Sequence, residues 1–167
     1  HGTPGQSYGL AVRGDYAYVG DFYHGLRVID ISNPASPVEV GFCDTPGGAI
    51  RVAVAGDYAY AGDAPAGLRV IDISDPTNPH EVGSYQTPGA FAVAVAVKEN
   101  YVYVANYASG LRIIDVSDPT HPTEAGFFDT PGISKGVTVV GDYAYVADDQ
   151  FGLRIIDVSD PAHATEV

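Results

Sequence analysis

The sequence predicts an all-β fold: a β-propeller of four-stranded antiparallel blades, four blades per chain. Three observations carry that expectation. The tripeptide Thr-Pro-Gly recurs at Thr3-Pro4-Gly5, Thr45-Pro46-Gly47, Thr87-Pro88-Gly89 and Thr130-Pro131-Gly132, with spacings of 42, 42 and 43 residues. Every interval repeats one succession of short alternating segments and turn residues. No segment has the length and period of a helix, because the apolar runs are short, β-branched and bounded by Gly, Pro and Asp. Four strands in a period of this length is the signature of a propeller blade. The 167 residues therefore read as a single domain, 1–167, with repeats at 3–44, 45–86, 87–129 and 130–167.

Within each unit the elements come in a fixed order. The first strand alternates, as in Val52-Ala53-Val54, and carries small residues (Ala11, Ala53, Ala94, Ala96) suited to crowding around a central axis. Gly14-Asp15, Gly56-Asp57 and Gly141-Asp142 then turn the chain, replaced by Lys98-Glu99-Asn100 in the third unit. The second strand holds Tyr-x-Tyr, at Tyr16/Tyr18, Tyr58/Tyr60, Tyr101/Tyr103 and Tyr143/Tyr145. After a variable loop, the third strand runs like Gly67 to Ser74 and is apolar on both faces apart from its Arg and Asp. A sheet sandwiched between two others needs that pattern, whereas an open sheet would alternate cleanly. Asn33-Pro34, Asp75-Pro76, Asp118-Pro119 and Asp160-Pro161 open the next turn, and the last strand runs like Val38 to Cys43. Hairpin turns inside each unit make neighbouring strands antiparallel, which counts against a β-helix.

The segments starting at Leu26, Leu68, Leu111 and Leu153 read Leu-Arg-Val/Ile-Ile-Asp-Ile/Val-Ser. Together with the preceding Tyr-x-Tyr pieces they resemble the LVIVD repeat family, four times over and across nearly the whole chain. The resemblance implies a propeller of extracellular or cell-surface proteins. It brings no catalytic residues to carry over.

Composition narrows the function further. Hydrophobic residues make up 46% of the chain and charged residues 17%, a globular balance. Twenty-one acidic side chains against eight basic ones give a formal charge of −13, which repels phosphate backbones and anionic head groups. Nucleic acid is thus excluded as an expected partner. No run of 18 apolar residues is present, so no membrane insertion by a helix is expected. Cys43 is the single cysteine, which rules out an intrachain disulfide and any cysteine-based metal site. The sequence has no methionine and starts at His1, so it reads as a processed chain or an excerpt, with no signal sequence in it. The expected location is secreted or cell-surface.

Val167 aligns with Val40 of the first unit, and His1-Gly2 with Cys43-Asp44. Only the counterparts of Gly41 and Phe42 fall between the two ends. That near-whole number of periods predicts that the end of the fourth unit abuts the start of a first. If it is the chain's own, the ring has four blades; if it is a second chain's, two chains close an eight-bladed ring. A piece of a longer propeller is the third alternative. Uncovered end blades would drive self-association.

Among the recurrent charges, Asp30, Asp72, Asp115 and Asp157 lie in the third strand, and Asp75, Asp118 and Asp160 precede proline. Residues repeated in every unit are expected to hold the architecture, the Asp-Pro carboxylates by accepting backbone N–H groups at turns. Arg27, Arg69, Arg112 and Arg154 sit three residues before the strand Asp, facing the opposite side. They are expected either to pair with carboxylates of the neighbouring blade or to stand solvated at the strand's end. The histidines are spread over different units, so no metal set is expected.

Function is sought where the units differ. The loop between second and third strands varies, and so does the link between blades; both open on one propeller face. Candidate ligand-binding residues there are Asp21, Phe22, Tyr23, Arg51, Asp63, Asn106, Tyr107, Asp148, Asp149 and Phe151. Aromatics beside Asp and Asn suit sugar stacking or peptide capture, and calcium is the one cofactor they could take. No phosphate-cradling loop, nucleophile elbow or His-Glu-x-x-His motif is present, and no catalytic residue is nominated. The expectation is a non-enzymatic module that presents its loops to a protein or glycan. The alternative is a structural block that assembles with itself through its chain ends.

Overall fold

The two-residue turn after each first strand needs a left-handed residue, which glycine adopts without steric cost. Gly14, Gly56 and Gly141 supply it with φ of 57°, 53° and 56°, and Glu99 takes φ 54° at the same place in the third unit. Each such turn folds a first strand onto a tyrosine strand, pairing Arg13 with Tyr16, Ala55 with Tyr58, Lys98 with Tyr101 and Val140 with Tyr143. The computed structural model describes residues 2–89 and 91–167. His1, used in aligning the chain ends, and Ala90, in the third variable link, lie outside the described residues.

Four antiparallel sheets result, each with its strands in sequence order. Blade 1 contains β1 (Ser7–Arg13), β2 (Tyr16–Asp21), β3 (Gly25–Asp30) and β4 (Val38–Cys43). Blade 2 contains β5 (Gly48–Ala55), β6 (Tyr58–Ala64), β7 (Gly67–Asp72) and β8 (His80–Tyr85). Blade 3 contains β9 (Ala94–Lys98), β10 (Tyr101–Ala105), β11 (Leu111–Asp115) and β12 (Thr123–Phe128). Blade 4 contains β13 (Gly136–Val140), β14 (Tyr143–Ala147), β15 (Leu153–Asp157) and β16 (Thr165–Glu166). Apart from single 3-10 turns at Asp149–Phe151 and Pro161–His163, no helix occurs among the described residues. The first strands of successive blades contact one another in the order β1, β5, β9, β13, so these small-residue strands are innermost. In blades 1–3 the third and fourth strands shift register by one residue, between Val28 and Ile29, Val70 and Ile71, and Ile113 and Ile114. That bulge adds twist where each blade splays outward.

The hydrophobic core is the sum of three blade-on-blade junctions. Tyr18, Leu26 and Val28 on the front of blade 1 pack against Val52, Ala59, Ala61, Ile71 and Ile73 on the back of blade 2. Tyr60, Leu68 and Val70 meet Val102, Val104, Ile114 and Val116 in the same way. Tyr103, Leu111 and Ile113 meet Ala144, Val146, Ile156 and Val158. Each large side chain covered in this way contributes about 1.5–3 kcal/mol over leaving it in water. Both faces of an inner blade are therefore apolar because both are interfaces.

The recurrent carboxylates act locally. Asp30, Asp72, Asp115 and Asp157 accept the backbone N–H of Ser32, Ser74, Ser117 and Ser159 at 2.8–2.9 Å, ending the third strand. Asp75, Asp118 and Asp160 accept the N–H two residues on, at 2.9–3.1 Å, and Asn33 does the same for Ala35 at 3.2 Å. The recurrent arginines do not pair with the next blade. Arg27 meets Glu39 at 3.3 Å, Arg69 meets Glu81 at 3.2 Å, Arg112 meets Glu124 at 3.8 Å, and Arg154 meets Glu166. Each glutamate belongs to the outer strand of the same blade, and Arg27 and Arg112 also lie over the rings of Phe42 and Phe127. Polar ties between blades come from another position. Arg13 donates to the Gly56 carbonyl and pairs with Asp57 at 3.4 Å, and Lys98 donates to the Gly141 carbonyl at 2.8 Å.

The outermost faces lack the covering the inner ones have. Leu26, Leu68 and Leu111 are fully buried, whereas their counterpart Leu153 is 63% exposed. On the opposite side Val52 is 7% exposed and its counterpart Leu10 is 64% exposed. Closure within one chain would bury Leu10 and Leu153 against each other's blades, so the four blades form an arc with two open end faces.

Candidate binding surface

At or within one residue of the end of its second strand, each blade carries a polar residue that points inward rather than to solvent. Asp21, Asp63, Asn106 and Asp148 are buried, and each holds its blade's Thr-Pro-Gly segment. Asp148 accepts the Thr130 hydroxyl at 2.6 Å and the Gly132 N–H at 2.9 Å. Asp63 accepts the Thr45 hydroxyl and the Gly47 N–H, both at 3.0 Å, and also faces Arg69 Nε at 3.4 Å. Asn106 accepts the Thr87 hydroxyl at 2.8 Å and donates to the Pro88 carbonyl. Asp21 accepts the Gly5 N–H at 2.8 Å and the Tyr23 N–H and His24 Nδ1 at 3.2 Å. Burial pushes the Asp21 carboxyl up, but those bonds together with one from Thr3 outweigh it and hold the group below its ordinary value. The Thr-Pro-Gly marker is thus the anchor that a buried carboxylate or amide uses to fix link and loop together.

The sequence-nominated residues therefore divide into two kinds. The four buried ones lock loops and present nothing to a ligand. The remaining six are on or near the surface and fall into two groups. In the first, Phe22 packs edge-on against exposed Tyr23 at 5.1 Å and against Tyr8 of β1 at 5.6 Å. Arg51 of β5 donates to the Tyr8 carbonyl, tying blade 2 to this cluster. In the second, Tyr107 lies 5.6 Å from Phe91, and its carbonyl accepts the Ser134 N–H at 2.9 Å across the blade 3–blade 4 junction. Next to Ser134, Lys135 pairs with Asp149 at 2.6 Å, a bond that raises the lysine's pKa. Phe151 stands exposed over Gly132 and Ile133. The short loop of blade 2, Ala64-Pro65-Ala66, contributes no aromatic ring to either group.

Tyr8, Phe91 and Lys135 belong to these groups but were not nominated from sequence. Their signal was present: the links vary from unit to unit along with the loops they touch. The histidines stay apart, His24, His121 and His163 each resting on an aspartate of its own unit at 2.9–3.2 Å. Among the described residues no three His, Cys, Asp or Glu side chains gather as a metal-holding group.

Comparison with known proteins agrees with this architecture. Two crystal structures of computationally designed, propeller-like repeat proteins share the fold at 11% identity. One, the Ika4 protein, superposes with a TM-score of 0.77 over 92% of both chains. The other, the Ika8 protein, superposes with a TM-score of 0.74 over 94% of this chain, which spans only 47% of that one. Among curated proteins none matches. The model of the LVIVD repeat matches residues 4–45, 46–87, 90–130 and 131–167, one match per blade. The chain is a propeller-type repeat protein and belongs to the LVIVD repeat family.

Proposed function

We propose that this chain is a non-enzymatic interaction module, secreted or displayed at a cell surface, that presents its loop face to a protein or glycan. The observation that carries the reading is the pairing of exposed aromatics with buried loop locks. Tyr8, Tyr23, Phe91, Tyr107 and Phe151 put large rings into solvent at one end of the blades. The loops and links that bear them are fixed from beneath by Asp21, Asn106 and Asp148. Rings held in place before binding lose little freedom when a partner arrives, which is what makes aromatic anchors effective. The buried carboxylates that could serve acid–base chemistry, Asp21, Asp63 and Asp148, belong to three different blades, and each is bonded to its own blade's Thr-Pro-Gly segment. The net charge of −13 turns away polyanions and leaves neutral sugars and cationic or apolar peptide segments as partners.

The test is a screen of the chain against glycan and extracellular-protein arrays, repeated with Tyr23→Ala, Tyr107→Ala and Phe151→Ala combined. All three side chains are exposed, so the far-ultraviolet circular dichroism should not change. The reading expects a ligand whose affinity falls at least about ten-fold in the triple variant. A ligand that binds the triple variant as well as the parent, or turnover of any substrate, would overturn it.

A further inference from the structure

We propose that two copies of this chain join head to tail, the front of blade 4 against the back of blade 1 in the second copy, and so close an eight-bladed ring. The template for that junction is present three times inside the molecule. At each inner junction a front face of Tyr, Leu and Val or Ile meets a back face of small and β-branched residues. The open front face of blade 4 carries the same set, Tyr145, Leu153 and Ile155, with Tyr143 and Val140 beside them. The open back face of blade 1 carries the matching set, Leu10, Val12, Ala17, Val19, Ile29 and Ile31. Most of that set lines an open, mainly apolar groove of about 400 Å³. Where the same wall recurs in blade 2, the space is filled by Tyr18 and Leu26 of blade 1.

The pattern also specifies the occupant. A surface that fits this groove must offer a tyrosine and a leucine from adjacent antiparallel strands, and blade 4 of a second copy does. The two open faces differ, so the contact is heterologous, and such contacts either close into a ring or run on as a filament. A ring of two copies agrees with the fold comparison: these four blades superpose on 47% of a propeller-like chain roughly twice this length. One device of the inner junctions is missing. Val140 occupies the position from which Arg13 and Lys98 reach the next blade's turn carbonyl, and it is 64% exposed. The junction between copies would therefore lack this tie, as does that between blades 2 and 3, where Ala55 stands at this position.

Sedimentation equilibrium of the 167-residue chain is the experiment. The proposal expects a discrete dimer of about 35 kDa, twice the 17.4 kDa of one chain. Leu10→Asp and Leu153→Asp should each weaken it at least about 100-fold, since each places an unpaired carboxylate in an apolar junction. Both leucines are exposed within one chain, so an unchanged circular dichroism spectrum shows that folding is intact. Mixed together, the two variants retain one sound pair of faces and should form an open heterodimer. A monomer at 100 µM, an unlimited series of larger species, or failure of the mixed variants to associate would overturn the proposal. A monomeric parent would assign the end faces to another occupant, such as further blades. Loop-face binding by the Leu153→Asp chain would be unaffected, so the two readings fail separately.

Discussion

Single side chains fix the turns of this molecule, and their chemistry sets how it responds to acid. The Thr77 hydroxyl and N–H hold Asp75 below its ordinary pKa, the Thr120 hydroxyl and N–H do so for Asp118, and His163 with the Ala162 N–H does so for Asp160. The third-strand aspartates Asp30, Asp72 and Asp157 are lowered in the same direction by the serine two residues on. A carboxyl whose folded pKa lies below its unfolded value adds stability that is fully present above the unfolded value. That stability is lost as pH falls through the folded one. The urea midpoint should therefore be level from about pH 7 down to about pH 5 and decline below about pH 4. Urea titrations at half-unit pH steps check this, and a midpoint that rose on acidification would contradict it. The buried locks explain why the candidate site was only partly legible in the sequence. Asp21 and Asp148 look like ligand residues because they sit in variable loops that carry aromatics, and Asp63 because it holds the same place in its own unit. Their inward orientation depends on the Thr-Pro-Gly segment sixteen to eighteen residues earlier, a pairing that becomes visible only once the first hairpin is folded.

At the level of elements, each outer strand is shaped by the next blade's turn. Gly41, Gly83 and Gly126 lie against the carbonyl oxygens of Pro76, Pro119 and Pro161, and a Cβ on any of them would collide with backbone. Gly83→Ala should accordingly cost about 1–3 kcal/mol, because the obstacle is a proline turn that cannot yield without moving the blade. Chemical denaturation of the variant checks this, and a loss within 0.5 kcal/mol of zero, about the level of a surface substitution, would contradict the close approach. Strands and turns were readable from sequence because their signals are local: Gly-Asp, Asp-Pro and the Tyr-x-Tyr alternation each act within a few residues. The partner of the third-strand arginine was not. The spacing points Arg27 to a neighbouring blade or to solvent, yet the bulge after Val28 brings Glu39 of its own outer strand within 3.3 Å. A one-residue shift of register redirects a long side chain, and nothing in the spacing of the repeats announces it.

For the whole molecule, stability is a chain of nearest-neighbour contacts, as in other repeat architectures. No blade has a core of its own; each hides its apolar sides against the blades before and after it. The end faces follow from that rule, since removing a neighbour exposes a surface built to be covered. The measurement that tests this most directly compares Leu68→Ala with Leu153→Ala by urea denaturation, in a Leu10→Asp background in which the end faces cannot pair. The two leucines share one position in repeats 2 and 4, and Leu68 has a blade in front of it where Leu153 has none. Leu68→Ala should cost about 2–5 kcal/mol, the loss for a fully buried leucine, and Leu153→Ala less than about 1 kcal/mol. Equal losses at the two positions would contradict the account of blades stabilised by their neighbours.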